Sequence, residues 1–245
     1  GNAYVPTAGH LLAAAADRRA APATAVVRHT RVVLPQQADD TGRQYRETVY
    51  FRFPGVFRSE RDTDGGHRIY LERSGVYRIV AQARVSRLPP EPMDLALRLL
   101  AGTNAAGLQR VLADAGLDLS ITSLGRFDDR LGFVLGARYP DESVPQVWFD
   151  KDTLLPFRWL LIRRSADGSI QRTEIRYRSW QDTGGFFYPQ AVACYRDERK
   201  VCQVRVDGVE AGAEIEAERF SFEQLLNRYP SEAASGLGGG AAGQD

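Results

Sequence analysis

Long apolar runs are missing from this 245-residue chain. A membrane-spanning helix needs roughly 20 consecutive apolar residues, so a helical span is excluded and the chain is expected to meet its partners from solution. Net charge is nearly absent too. Thirty-two basic against thirty-one acidic residues leave +1, which removes the basic footprint that a nucleic-acid partner requires. Only Lys151 and Lys200 are lysine, so the positive charge is carried by arginine. Histidine is confined to His10, His29 and His67, placed in a helix, a strand and a Gly-Gly turn without a shared motif, and a metal site is not expected. There is no Gly-x-Ser-x-Gly elbow. The stretch Gly102-Thr103-Asn104-Ala105-Ala106-Gly107 has P-loop spacing, but Leu108 and Gln109 stand where lysine and a hydroxyl would hold phosphate and magnesium. The pairs Asp39-Asp40 and Asp128-Asp129 fall in polar turns, which they initiate more simply than they perform acid/base chemistry. The expectation is a non-enzymatic protein without cofactor or metal.

Cysteine is scarce but informative. Cys194 and Cys202 flank the charged segment 195–201, with strand-like sequence on both sides. A turn centred on Glu198 would place the two sulfurs opposite each other in a hairpin, at a separation that suits a disulfide. Two buried free thiols are the alternative, and a redox CxxC or a zinc cluster is excluded by spacing and number. A disulfide implies an oxidising compartment. The first residues, Gly1-Asn2-Ala3, lack a methionine, which reads as a chain whose leader has been removed. The chain is therefore expected to be exported, with or without a lipid anchor on the precursor.

What the chain has in abundance is period-two patterning. After a helix over 7–21, capped by Thr7 and ended near Pro22, strands run over 24–33 and 43–53, where Tyr45, Val49, Phe51 and Phe53 alternate with charged or polar residues and only Glu47 breaks the inner row. Turn signals at Pro54-Gly55, Asp64-Gly65-Gly66 and Ser74-Gly75 separate strands near 56–61, 67–73 and 76–85. Two short helices follow a Pro-rich break, forming a helical insert over about 92–116. Strands resume from Leu119 and continue to a last one over Ala213 to Phe220. The spacing predicts a mainly β (α+β) domain over residues 1–230 built on an antiparallel sheet. Residues 231–245 are Ala, Gly and Ser with almost no apolar bulk, the composition of a disordered tail.

Three segments, taken in order, resemble the LolA-like family of periplasmic lipoprotein carriers and outer-membrane lipoprotein-sorting proteins. They are Phe53-Pro54-Gly55-Val56-Phe57-Arg58-Ser59-Glu60; Val147-Trp148-Phe149-Asp150-Lys151-Asp152-Thr153-Leu154-Leu155-Pro156-Phe157-Arg158; and Tyr177-Arg178-Ser179-Trp180 followed by Gly185-Phe186-Phe187-Tyr188-Pro189. The resemblance implies a curved, half-open antiparallel β-barrel or sheet wrapped around a few short helices, with an apolar cavity between them. It implies a carrier of lipid or lipoprotein acyl chains, and the family's wider membership leaves open a non-catalytic interaction or sensor module that binds envelope or outer-membrane proteins.

The residues that would line such a cavity are Val49, Phe51, Phe53, Phe133, Leu135, Trp148, Phe157, Trp159, Leu161 and Tyr177. Acyl chains need area without directional bonds, and the same rows arise equally from ordinary strand alternation in a core. An arginine row, Arg172, Arg176 and Arg178 with Arg158 and Arg164, is either a headgroup or partner site or a solvated face balanced by Glu174, Glu214, Glu216 and Glu218.

Overall fold

The computed structural model describes residues 5–36, 41–164 and 167–231. The 232–245 part of the expected tail lies outside the described residues. Helix α1 (Ala8–Arg19) starts at Thr7, whose hydroxyl accepts from the His10 N–H, and stops at Ala20 in the left-handed conformation. The chain then lays down β1 (Thr24–Val33), β2 (Arg43–Arg52), β3 (Val56–Thr63), β4 (Gly66–Arg73), β5 (Val76–Ala81) and β6 (Arg84–Ser86). Helices α2 (Pro92–Ala101) and α3 (Ala105–Asp114) follow, α3 being capped by Asn104, which accepts from the Gly107 N–H. The second half is β7 (Thr122–Phe127), β8 (Arg130–Leu135), β9 (Gln146–Asp150), β10 (Pro156–Arg164), β11 (Ile170–Asp182), β12 (Phe187–Arg196) and β13 (Arg199–Ala211). A 3-10 turn (Ala217–Phe220) and α4 (Phe222–Arg228) close the described chain.

All thirteen strands form one antiparallel sheet in the order β6-β5-β4-β3-β2-β1-β13-β12-β11-β10-β9-β8-β7. The chain thus starts at the centre, meanders to one edge, crosses to the opposite edge and meanders back until β13 pairs with β1. That crossing is made by α2 and α3, and the topology forces these helices across one face of the sheet. This inner face, shared with α1, holds the main core: Leu11, Leu97, Leu100, Phe51, Phe149 and Ile175 are all buried in it. Full burial of each such side chain contributes about 1.5–3 kcal/mol, which is why two ten-residue helices suffice to fix the crossing. A buried side chain adds hydrogen bonds between α1 and the end of α2. Arg19 is buried, and its guanidinium donates to the carbonyls of Leu99, Leu100 and Gly102 at the end of α2, meeting the negative pole of that helix. Burial pushes this guanidinium down to about 10, against the pull of Tyr188 and Tyr177, so it stays charged at neutral pH.

The structure corrects the last expected strand. Residues 213–220 are not a strand: after Gly212, at φ +71°, the chain leaves the sheet and places Phe220 and Leu225 on the outer face against Ile69, Leu71 and Val80. The alternation Ala213-Glu214-Ile215-Glu216 imitated a strand, whereas the ladder it should have extended is the longer β13. Strand 76–85 is likewise two strands, folded at Gln82-Ala83, both with positive φ.

The cysteines pair as expected. Cys194 and Cys202 are direct cross-strand neighbours on β12 and β13, with Cα atoms 5.0 Å apart, and form a disulfide. The turn is Asp197-Glu198, and a register shift after Cys194 restores the opposition of the two sulfurs.

Candidate functional site

The inner face is divided into two sectors of opposite character. On β1–β4 the inward row changes from apolar to charged as it runs toward the start of α2. Glu47 is buried between His29 and Arg31 at 3.7 Å each and Arg61 at 3.5 Å, and its carboxylate accepts from the Ser59 hydroxyl at 2.5 Å. Burial, the largest influence, opposes its charge, yet His29, Arg31 and Arg61 together hold the carboxyl well below the usual range. Above it sits Glu91, immediately before α2, which accepts from Arg31 at 2.5 Å and from Arg61 at 2.7 and 2.8 Å. Arg68 grips Asp94 with both terminal nitrogens, at 3.1 and 2.6 Å, and Asp94 also accepts from the Glu91 N–H. Three arginines and three carboxylates therefore lock the first turn of α2 onto the sheet. Sequence reading found Glu47 as a break in an apolar row but not its partners, which come from β1 and β3, nor the second layer of Arg68, Glu91 and Asp94, which comes from β4, the linker before α2 and α2 itself.

The second sector lies over β10 and β11. Here the α2–α3 pair stands off the sheet and leaves a cleft of about 330 Å³, walled by Pro92, Leu95 and Ala115 and floored by Trp159, Leu161 and Thr173. The floor follows the strand register: Trp159 pairs with Ile175, and Leu161 pairs with Thr173. Trp159 is buried and its indole N–H has no acceptor among the described residues, a costly arrangement for a desolvated donor. Leu161 is only partly buried against the core.

The ten cavity candidates separate accordingly. Val49, Phe51, Leu135, Trp159 and Tyr177 are buried in the main core, with Phe53, Phe133 and Leu161 packed against it. Tyr177 holds α2 in place, its hydroxyl donating to the Ala96 carbonyl at 3.1 Å. Of these, Trp159 and Leu161 reach the cleft. Trp148 and Phe157 belong to a separate cluster with Val134 and Ala137 on the outer face. The reason is a register shift between Pro156 and Arg158, which turns Phe157 out of the row it shares in sequence with Trp159 and Leu161. Both rings lie over glycine: a Cβ on Gly125 would come within 2.6 Å of Trp148, and one on Gly132 within 2.7 Å of Phe157.

The arginine row also belongs to that outer face. Arg158 is buried, donates to Glu142 at 2.5 Å and to Glu174 at 3.1 Å, and lies 3.9 Å from the Phe127 ring centre. Arg172 pairs with Glu142 and Arg176 with Glu174. The row is thus balanced by Glu174, as the sequence suggests, and by Glu142 from the loop after β8, whereas Glu216 and Glu218 line a different surface beside Arg58 and Arg219. Among the described residues, no group of three or more His, Cys, Asp or Glu is placed to hold a metal, and no helix is long and apolar enough to cross a membrane.

An open antiparallel sheet folded over short helices, with a cleft between the two, defines the architecture. That fold is LolA-like. An outer-membrane lipoprotein-sorting domain from Vibrio parahaemolyticus matches it with a TM-score of 0.59 at 10% identity, over 89% of this chain and 97% of that one. A LolA superfamily protein from Nitrosomonas europaea matches with a TM-score of 0.53 at 13% identity, over 89% and 99%. A DUF1329 family protein from Desulfovibrio piger matches at 0.58 and 13%, over 91% and 100%. No family sequence model matches the chain, and none of the curated proteins matches it.

Proposed function

We propose that residues 1–230 form a non-catalytic periplasmic carrier that shelters an acyl chain of a lipid or lipoprotein in the cleft over β10 and β11. The observation that carries this reading is the cleft itself. It joins an apolar portion, formed by Pro92, Leu95, Ala115, Trp159 and Leu161, to a polar end formed by Arg163, Gln171 and Arg196. Apolar area is what an acyl chain needs, each buried methylene contributing about 0.8 kcal/mol. Leu161 is the contact residue on this reading, over the buried Trp159 ring; Val49, Phe51 and Tyr177 maintain the fold around them. The LolA-like architecture supports it, since one matching structure is a lipoprotein-sorting domain.

The test is native mass spectrometry, with organic extraction, of protein recovered from its own envelope fraction without strong detergent. A stoichiometric lipid or acylated peptide is the expected result. A bare protein that also refuses added fatty acid and lipoprotein would overturn the proposal. A second reading, an interaction module for an envelope protein, is favoured by one feature: β7 is a terminal strand paired only with β8, and an open edge is a template for another chain. Capture of a protein by a chain that takes up no lipid would favour it.

A further inference from the structure

The cleft changes character along the strands. From the Trp159–Ile175 rung, two residues further along brings Leu161, opposite Thr173, which is itself opposite Arg196; two further brings Arg163, opposite Gln171. At about 3.4 Å per residue, Trp159 and Arg163 are about 14 Å apart along β10, and the wall passes from indole and leucine through threonine to guanidinium over that distance. Arg163, Gln171 and Arg196 all line the cleft.

These two arginines differ from six others in the molecule. Arg31, Arg61, Arg68, Arg98, Arg158 and Arg172 are each tied to a carboxylate. Arg163 and Arg196 are exposed, and neither side chain makes an ion pair or hydrogen bond among the described residues. Arg196 also stands directly across from Arg199, a like-charge opposition that weakens a sheet. The single acidic side chain lining the cleft, Asp114 at the end of α3, leaves the mouth positive. Guanidinium groups are suited to phosphate and carboxylate oxygens, which they engage through paired N–H donors.

We infer that the cargo is an acyl lipid with an anionic headgroup, its chain in the cleft and its phosphate at the mouth between Arg163 and Arg196. This rests on the carrier reading above and adds the class of lipid to it. The acyl chain contributes most of the affinity, and the arginines select the headgroup and set the direction of insertion, chain toward Trp159 and charge toward solvent.

The test uses the full chain and two lipids with the same brominated acyl chains, phosphatidylglycerol and phosphatidylcholine, offered as small vesicles at low salt, with quenching of tryptophan fluorescence as the readout. Wild type should take up the anionic lipid about tenfold more tightly. In the Arg163→Glu/Arg196→Glu double variant, whose altered positions are exposed, that ratio should fall to one or invert while phosphatidylcholine uptake is retained. Equal uptake of both lipids by wild type would overturn the inference and leave the carrier reading standing. Uptake of neither lipid would overturn both.

Discussion

The same pair of helices meets the sheet in two ways. Over β1–β4 the start of α2 is fixed by a buried lattice of Arg31, Arg61 and Arg68 with Glu47, Glu91 and Asp94. Over β10 and β11 the helices make no such contact, and a cleft with an apolar floor remains. The difference concerns direction as much as strength. Charged pairs fix orientation because their partners must be met one by one, whereas apolar packing tolerates a gap and whatever fills it. One half of the sheet can therefore anchor the helices while the other half stays free to accept a ligand.

The largest effect that would break this contrast is the loss of the central carboxylate. Glu47→Gln keeps the shape and the acceptor for Ser59 but leaves Arg31 and Arg61 without their deepest counter-charge. A buried pair deprived of one partner loses about 3–5 kcal/mol, and urea denaturation should show a fall of that order. A change below about 1 kcal/mol would mean that the charges anchor nothing. The pH dependence sharpens the same point. Glu47 has a folded-state pKa below its ordinary 4.5, so the unfolded chain takes up the proton first. The stabilisation is fully present above that value and is lost progressively as the pH falls below it. Wild-type stability should decline through the acid range, and Glu47→Gln should flatten that decline; parallel acid limbs for the two proteins would exclude Glu47 as the group responsible.

A smaller effect is expected where packing, not charge, closes a face. A Cβ on Gly132 would lie 2.7 Å from the Phe157 ring and 3.0 Å from the Phe149 carbonyl, so Gly132→Ala must displace an aromatic ring in the outer cluster. Such overpacking costs about 1–3 kcal/mol. Acyl uptake should be unchanged, because that cluster lies on the opposite side of the sheet from the cleft; loss of uptake with full stability would show that the two faces are coupled.

How far these sectors could be read from sequence differs for a physical reason. The meander was legible where turns use glycine, at Gly55, Gly66 and Gly75, all with positive φ. It was hidden at Gln82-Ala83, where two non-glycine residues take the same conformation. Glu47 was visible as an anomaly because one charged residue in an apolar row violates a local period, but Glu91 and Asp94 sit in a Pro-rich break and a helix that only the crossing brings to it. The outer-face position of Phe157 depends on one inserted residue in a ladder, and alternation carries no mark of a bulge. The cleft itself is a distance between elements, a property that no single segment encodes, although Trp159 and Leu161 on its floor were within reach of a period-two reading.

The smallest expected change in stability belongs to the variant that most directly tests the contrast. Leu161 is half-buried at the edge of the core and faces a space of about 330 Å³, so Leu161→Trp can place its larger side chain in that space without displacing a neighbour. Substitutions at sites free of packing conflict usually stay within about 0.5 kcal/mol, and Tm should barely move. The cleft would nevertheless be occupied, and uptake of brominated lipid should fall to background while Glu47→Gln, studied at a temperature where it remains folded, retains it. If the filled variant bound lipid as well as wild type, the acyl chain would have to lie elsewhere on the molecule. If it lost stability by several kcal/mol, the space over β10 and β11 would be part of a tightly packed core, and the two sectors of the inner face would not differ in the way their charges suggest.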